Sequence, residues 1–179
     1  MEIINLSIPG LKLIKLKAFH DERGFFKEFY KQPAYHDAGI ASSFPQDNFS
    51  YSKKGVLRGM HFQTFPGQAK LVSVIQGEIF DVAIDIRKDS PTFGKWEGIY
   101  LNAKNHEQFF IPEGFAHGFY VVSGEGALVH YKVSALYNPE TEKSFRFNDP
   151  TFSIKWPTDN PILSLRDEQA PFFNEGAFV

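Results

Sequence analysis

Hydrophobic and polar residues alternate along most of this chain with a period of two, which is typical of β-strands. The clearest case runs from Lys70 to Ile86, with a break at Gln76-Gly77-Glu78 that predicts the turn of a hairpin. After the turn, apolar residues occupy one face and polar or small residues the other: Phe80, Val82, Ile84 and Ile86 against Asp81, Ala83 and Asp85. A polar row of this kind faces either solvent or a lined cavity, and the pattern does not distinguish the two.

Short strand-like runs continue along the chain, separated by clusters of Gly, Pro, Asn and Ser. They are Leu13–Leu16, Phe25–Tyr30, Trp96–Leu101, Gln108–Ile111, Gly118–Val122 and Ala127–Val133. Helix is expected only at Pro33–Ala38 and in a turn around Asp167–Ala170, and the tail from Pro157 onward should wrap the body as loops. Many short strands with few helices favour an all-β sandwich or barrel.

Length and composition narrow the class of protein. The 179 residues are enough for one hydrophobic core, and no linker or repeat divides them, so we expect a single domain over residues 1–179. With 19 basic and 21 acidic residues and no long run of either sign, neither nucleic acid nor a membrane is expected as a partner. The chain has no cysteine, which excludes disulfides, a thiol nucleophile and thiolate metal sites. Without a signal-peptide pattern at its N-terminus or a long apolar stretch, we expect a cytoplasmic protein.

The segment Leu57-Arg58-Gly59-Met60-His61-Phe62-Gln63 carries the strongest chemical signal. His61 and Gln63 alternate, so their side chains share one face of a strand, and Lys70 follows seven residues later. Cationic and polar groups gathered on one sheet face are hard to bury without the negative charge of a ligand. Metal-binding jelly rolls place a second histidine and a carboxylate where this chain has Gln63 and uncharged residues with Lys70, so no metal is expected.

These residue types suit proton transfer next to an anion. A neutral histidine, with a reference pKa of about 6.5, is a natural base near pH 7, and Asp81, Asp85 and Asp167 are its candidate carboxylate partners. Lys70 would stabilise negative charge that develops on a substrate oxygen. Tyr131 either supplies a proton or is a packed strand aromatic.

Two further groups have an open interpretation. His117, in Ile111-Pro112-Glu113-Gly114-Phe115-Ala116-His117, either contacts a ligand or is satisfied by the backbone of a hairpin corner. Arg23 and Arg58 offer bidentate donors for a diphosphate, although Arg23 could instead pair with Asp21 or Glu28.

Several motifs together resemble the dTDP-4-dehydrorhamnose 3,5-epimerase family, in order from about Phe19 to Asp167. They are Phe19-x-Asp21-x-Arg23-Gly24-Phe25-Phe26, Gln46-Asp47-Asn48-x-Ser50, Leu57-Arg58-Gly59-x-His61-Phe62-Gln63, Lys70-Leu71-Val72, Asp81-Val82-Ala83-x-Asp85-x-Arg87, Ser90-Pro91-Thr92-Phe93-Gly94 and Ile111-Pro112-x-Gly114-Phe115-Ala116-His117-Gly118-Phe119.

The resemblance implies a cupin-type jelly roll, or double-stranded β-helix, that forms a homodimer with exchanged strands. It also implies epimerisation at carbons 3 and 5 of dTDP-4-dehydro-6-deoxy-D-glucose, giving dTDP-4-dehydro-L-rhamnose without a cofactor. By position, His61 is the base, Asp167 its partner, Lys70 the enolate stabiliser and Tyr131 the acid. The residues that fall at the family's substrate contacts are Arg23, Phe26, Glu28, Gln46, Asn48, Arg58, His117, Glu142 and Arg166.

The chain departs from the family pattern at Leu136, Phe147 and Arg166, where tyrosine, tryptophan and lysine are usual. Two alternatives stay open. One is an epimerase that acts at a single carbon or on another nucleotide-linked 4-keto sugar. The other is a non-catalytic cupin that binds sugar nucleotides, although a binder has no need for both a base and an acid.

Overall fold

A computed structural model describes residues 1–174 of the chain. Within them lie thirteen strands and two short helices. The strands are β1 (Glu2–Asn5), β2 (Lys12–Lys15), β3 (Ala18–Asp21), β4 (Gly24–Lys27), β5 (Gln46–Ser52), β6 (Leu57–Gln63), β7 (Lys70–Gln76), β8 (Glu78–Asp85), β9 (Trp96–Asn102), β10 (Glu107–Ile111), β11 (Phe115–Val121), β12 (Ala127–Val133) and β13 (Glu142–Ser144). The helices are α1 (Gln32–Asp37) and α2 (Leu165–Glu168).

Two antiparallel sheets face each other. One has six strands in the order β1-β2-β10-β7-β12-β5, and the other has five in the order β13-β6-β11-β8-β9. The core between them is built from alternate residues of the central strands, among them Val72, Phe109, Phe119 and Val129. This arrangement confirms the predicted all-β, cupin-type jelly roll, although the sheets do not close into a continuous barrel. Neither helix in the described part of the chain has the length and apolar content needed to span a bilayer.

Strand β8 shows where the polar row predicted from the sequence points. Its apolar residues Phe80, Val82 and Ile84 pack outward, into a second hydrophobic cluster under the segment that contains Phe145 and Phe152. The opposite face points between the sheets, since Ile79 and Ala83 belong to the central core. Asp81 and Asp85 lie on that inner face and are fully buried. The row therefore lines the interior, and both carboxylates need partners there.

Element bounds differ from the prediction in places where local contacts decide them. The run predicted as Phe25–Tyr30 is a strand only as far as Lys27. This strand, β4, pairs with β3 alone and belongs to neither of the two large sheets. The turn predicted at Asp167–Ala170 begins earlier, because the Ser164 side chain accepts the N–H of Asp167 and caps α2.

The tail is also more ordered than the loops expected from Pro157 onward. It contains α2, and a bridge joins Val56 to Ile162. The end of the tail, residues 175–179, lies outside the described residues.

Candidate active site

A cavity of about 490 Å³ lies between the two sheets and gathers most of the predicted site residues. Eight of them line it: Gln46, Asn48, Arg58, His61, Lys70, His117, Tyr131 and Glu142. They come from strands of both sheets, and β6 and β11 form one wall while β5, β7 and β12 form the opposite one.

A β-bulge in β6 turns Arg58 and His61 to the same side. Strict alternation would place positions 58 and 61 on opposite faces of β6. In the register with β11, however, Arg58 lies opposite Phe119 and His61 lies opposite His117, so a step of three residues in β6 matches a step of two in β11. The extra residue falls at Gly59, whose φ is +123°, and a Cβ there would lie 2.6 Å from the Gly118 Cα. Glycine is therefore required at position 59 for the side chains of both Arg58 and His61 to reach the cavity.

His61 is held from behind by a buried carboxylate. Its Nε2 lies 2.6 Å from Asp167 Oδ1, and Asp167 Oδ2 accepts a hydrogen bond from Ser164 Oγ at 3.0 Å. Burial acts to raise the pKa of Asp167, but the hydrogen bonds from His61, Ser164 and the Gly59 N–H outweigh it and leave that pKa below its ordinary value. An ionised Asp167 can only accept, so Nε2 carries the proton of the neutral ring and Nδ1 is the basic nitrogen.

Lys70 and Tyr131 stand on the opposite sheet, on the neighbouring strands β7 and β12. Lys70 is buried, and burial lowers its pKa to about 8 even though the Glu142 and Asp81 carboxylates act to raise it. Burial also raises the pKa of Tyr131; Arg58 opposes this rise and Glu142 adds to it. Around neutral pH the cavity thus holds an ammonium and a protonated phenol facing a histidine.

Arg58 bridges the two sheets. Its Nε donates to Ser52 Oγ at 2.8 Å and one terminal nitrogen donates to the Tyr51 carbonyl at 3.3 Å, both on the edge strand β5. These contacts fix the plane of the guanidinium and leave its other N–H groups free to bind an anion.

Amide side chains hold the loop that follows β12 against the cavity. Gln68 donates to the Ala135 carbonyl at 2.9 Å, and Gln46 accepts the Tyr137 N–H at 3.0 Å. Gln46 also donates to Asn48 at 2.9 Å, so the loop and strand β5 form one polar wall. Tyr137 lines the cavity, while Leu136 is 65% exposed to solvent.

The three carboxylates proposed from the sequence as partners of the base each pair with a different side chain. Asp167 binds His61, as the resemblance implied. Asp81 Oδ1 lies 2.5 Å from His117 Nε2. Asp85 pairs with Arg87. Because His117 is directly opposite His61 in the β6–β11 register, two histidine–aspartate pairs stand side by side in one wall.

Four predicted substrate contacts do not line this cavity. Arg23, Phe26 and Glu28 lie on or beside the β3–β4 hairpin, where Arg23 pairs with Asp21 at 2.6 Å. Phe26 is 70% exposed. Arg166 lies just outside and binds Glu142 at 2.5 Å.

Other residues line the cavity without having been proposed as site residues: Phe49, Ser50, Tyr51, Phe62, Gln63, Gln68, Phe119 and Tyr137. Ser50 could have been predicted from the sequence, because it lies two residues after Asn48 and therefore shares its face of β5. Within residues 1–174, no group of three or more His, Asp or Glu side chains is placed to hold a metal ion.

Comparisons with known proteins point to one family. The family model of dTDP-4-dehydrorhamnose 3,5-epimerase matches residues 5–175. The enzyme of that name from Shigella flexneri is 49% identical over 169 residues, which cover 93% of each chain. The one from Neisseria gonorrhoeae is 50% identical over 168 residues, and those residues cover 93% of this chain but only 51% of that longer protein.

The same holds for solved structures. The crystal structure of dTDP-6-deoxy-D-glucose-3,5-epimerase from Legionella pneumophila, in complex with dTDP-4-keto-L-rhamnose, superposes with a TM-score of 0.92. It is 50% identical, and the match covers 96% of this chain and 92% of that one.

Proposed function

The chain belongs to the dTDP-4-dehydrorhamnose 3,5-epimerase family, and we propose that His61, Lys70 and Tyr131 carry out its proton transfers. It is an isomerase that inverts carbons 3 and 5 of dTDP-4-dehydro-6-deoxy-D-glucose. The observation that carries the assignment of residues is their placement: the histidine and the tyrosine stand on opposite sheets of one cavity.

The chemistry needs a base, an acid and a group that stabilises negative charge. The keto group at carbon 4 acidifies the hydrogens on both adjacent carbons. His61 Nδ1 removes one of these protons, and the electron pair of the broken C–H bond moves onto the carbon-4 oxygen as an enolate. Lys70 donates a hydrogen bond to that oxygen, which costs little reorganisation because the ammonium is already buried in the cavity.

Inversion follows when a proton returns from the opposite face of the ring. Tyr131 donates its phenolic proton to the carbon that lost one, and a tyrosine whose pKa is raised by burial holds that proton until the enolate forms. This step leaves His61 protonated and Tyr131 ionised, so both must exchange with solvent before the second carbon reacts. Each inversion therefore brings one solvent hydrogen into the sugar.

Binding of the nucleotide part falls to the other cavity residues. Arg58 binds the diphosphate through the N–H groups that β5 leaves free. Gln46, Asn48, His117 and Glu142 supply neutral and charged hydrogen-bonding groups for the sugar and the base. A dTDP-linked 4-keto-6-deoxyhexose is thus the ligand of this site.

A homodimer accounts for the three predicted contacts that lie on or beside the β3–β4 hairpin, Arg23, Phe26 and Glu28. The β3–β4 hairpin forms a two-stranded sheet of its own, with Phe19 54%, Phe25 55% and Phe26 70% exposed. Exposed aromatic residues next to Arg23 and Glu28 suit insertion into the cavity of a second copy of this chain.

A mixing experiment tests such shared sites. Mixing an inactive Arg23→Ala chain with an inactive His61→Asn chain should restore part of the activity, because one of the two sites in a mixed dimer contains neither substitution. Two inactive chains that stay inactive when mixed would exclude shared sites.

Incubation with dTDP-4-dehydro-6-deoxyglucose in heavy water tests the function. Deuterium at carbons 3 and 5 is expected. Deuterium at one carbon alone would assign a single-carbon epimerase, and none would leave a sugar-nucleotide-binding cupin. The cytoplasmic location, and the absence of nucleic-acid and membrane partners, stay predictions that cell fractionation and binding assays can check.

A further inference from the structure

The carboxylate of Asp81 is a buried charge beside the cavity for which the proton transfers above have no use. Building on the proposed function, we propose that Asp81 is a positioning residue that fixes His117 in the cavity wall and supplies the counter-charge that keeps Lys70 an ammonium.

The geometry at His117 is the first observation. Asp81 is fully buried on the inner face of β8, and its Oδ1 lies 2.5 Å from His117 Nε2. The carboxylate fixes the tautomer of the ring, with the proton on Nε2, as Asp167 does for His61. His117 then presents Nδ1 as an acceptor for the ligand.

The second observation is that one of the two carboxylate oxygens of Asp81 makes no hydrogen bond to the described residues. Asp81 Oδ2 is buried and has no hydrogen-bond partner among the described residues. Leaving a charged oxygen unpaired in the interior is costly unless a positive charge nearby compensates for it. Lys70 is the buried cation of the same cavity, and the Asp81 charge acts to raise its pKa.

Of the two carboxylates that act on Lys70, Glu142 has the larger effect, but Asp81 is the one whose buried oxygen has no hydrogen-bond partner among the described residues. The ionisable groups around Lys70 come from five strands: Arg58, His61, Asp81, His117, Tyr131 and Glu142. Glu142 already pairs with Arg166 at 2.5 Å, which neutralises much of its charge. His117 contacts Asp81 through Oδ1, so the second oxygen, Oδ2, stays available to Lys70. Since solvent does not reach Asp81, this interaction is little screened.

The test replaces Asp81 by the isosteric Asn and follows Lys70 directly. In protein labelled with ¹⁵N-lysine, the Nζ signal of Lys70 is assigned by its loss in Lys70→Arg, and its titration is followed by NMR. In Asp81→Asn the midpoint is expected to fall by about one pH unit, since a nearby opposite charge has been removed. The basic side of the kcat/KM profile should move to lower pH by the same amount, because the reaction needs the ammonium.

Asp85→Asn is the matched control. Asp85 lies on the same face of β8 and is equally buried, but its partners are Arg87, Ser90 and Thr92. It should lower thermal stability and leave the Lys70 titration unchanged. Asp81→Ser, which removes the same charge with a smaller side chain, replaces Asp81→Asn if the latter does not fold.

The outcomes separate this inference from the proposed function. A Lys70 midpoint that is the same in Asp81→Asn and the wild type would overturn the role of Asp81, whatever the activity. Full activity in Lys70→Arg and Lys70→Ala would instead contradict the assignment of Lys70 as enolate stabiliser. The NMR titration reports on Asp81 in either case.

Discussion

Replacing Asp167 by Asn removes the charge behind the base and changes almost nothing else in the shape of the site. In the structure the Asp167 carboxylate accepts from His61, from Ser164 and from the Gly59 N–H. All three groups donate hydrogen bonds to the carboxylate, so Asp167 carries no proton of its own and accepts the one on His61 Nε2. An asparagine amide keeps one acceptor oxygen, but it cannot stabilise the imidazolium that forms when His61 takes a proton.

The size of the effect follows from the 2.6 Å contact between His61 Nε2 and Asp167 Oδ1. Two unit charges a few ångströms apart near a protein surface interact by about 4 kcal/mol at an effective dielectric constant of about 20. With roughly 1.4 kcal/mol for each tenfold change, the loss corresponds to about 10²- to 10³-fold in kcat. KM should change little, because Asp167 does not line the cavity.

Steady-state kinetics on the purified variant measure this loss, with His61→Asn as the lower limit, since an amide has no basic nitrogen. Asp149→Asn is the control for a lost buried charge, because the Asp149 carboxylate is buried and accepts hydrogen bonds from the backbone N–H groups of Thr151 and Phe173, away from His61. The acid side of the Asp167→Asn profile should also move to lower pH, because the imidazolium has lost its counter-charge. A kcat within about tenfold of the wild type, with His61→Asn inactive, would show that the base works without the carboxylate.

Three further predictions concern binding, the bulge and metal. Arg58→Ala should weaken dTDP and substrate equally, by about 10- to 100-fold for the loss of charge-assisted hydrogen bonds, and calorimetry that shows only substrate affected would contradict a diphosphate contact. Gly59→Ala should lower the free energy of unfolding by about 2–5 kcal/mol, from positive φ and the clash with Gly118. Gly94→Ala, which also has positive φ but open space around its Cβ, should cost only about 1–2 kcal/mol in the same urea titration, and equal losses would remove the clash as a cause. Elemental analysis should find no activity-linked zinc, iron or nickel, and near-stoichiometric metal on which turnover depends would refute the metal-free mechanism.

Local patterns predicted most of the strands, because alternation depends only on which face of a strand is buried. The run from Lys70 to Ile86 forms β7 and β8 with the turn at Gly77, as expected. The helix predicted at Pro33–Ala38 is present as α1, shifted by one residue. These features need no knowledge of distant contacts.

Contacts between residues far apart in the chain determine the features of the site that spacing alone did not predict. Alternation alone puts Arg58 and His61 on opposite faces, and only the β-bulge at Gly59, next to Gly118 of β11, turns both into the cavity. Spacing alone left three aspartates as equally plausible partners for the base, since pairing across the fold depends on register, and it was the family resemblance that singled out Asp167. The single-turn helix α2, capped by Ser164, brings Asp167 to His61 across a separation of 106 residues.

The central claim, that a base and an acid act from opposite faces of the sugar, is tested most directly by Tyr131→Phe in heavy water. The variant keeps His61 and Lys70, so it should still form the enolate and return a solvent hydrogen to the face that lost one. We predict deuterated starting sugar of unchanged configuration from Tyr131→Phe, and deuterated, inverted product from the wild type. Adding Lys70→Ala should abolish the exchange as well. Inverted product from Tyr131→Phe at close to the wild-type rate would contradict the account, because another group would then be the acid.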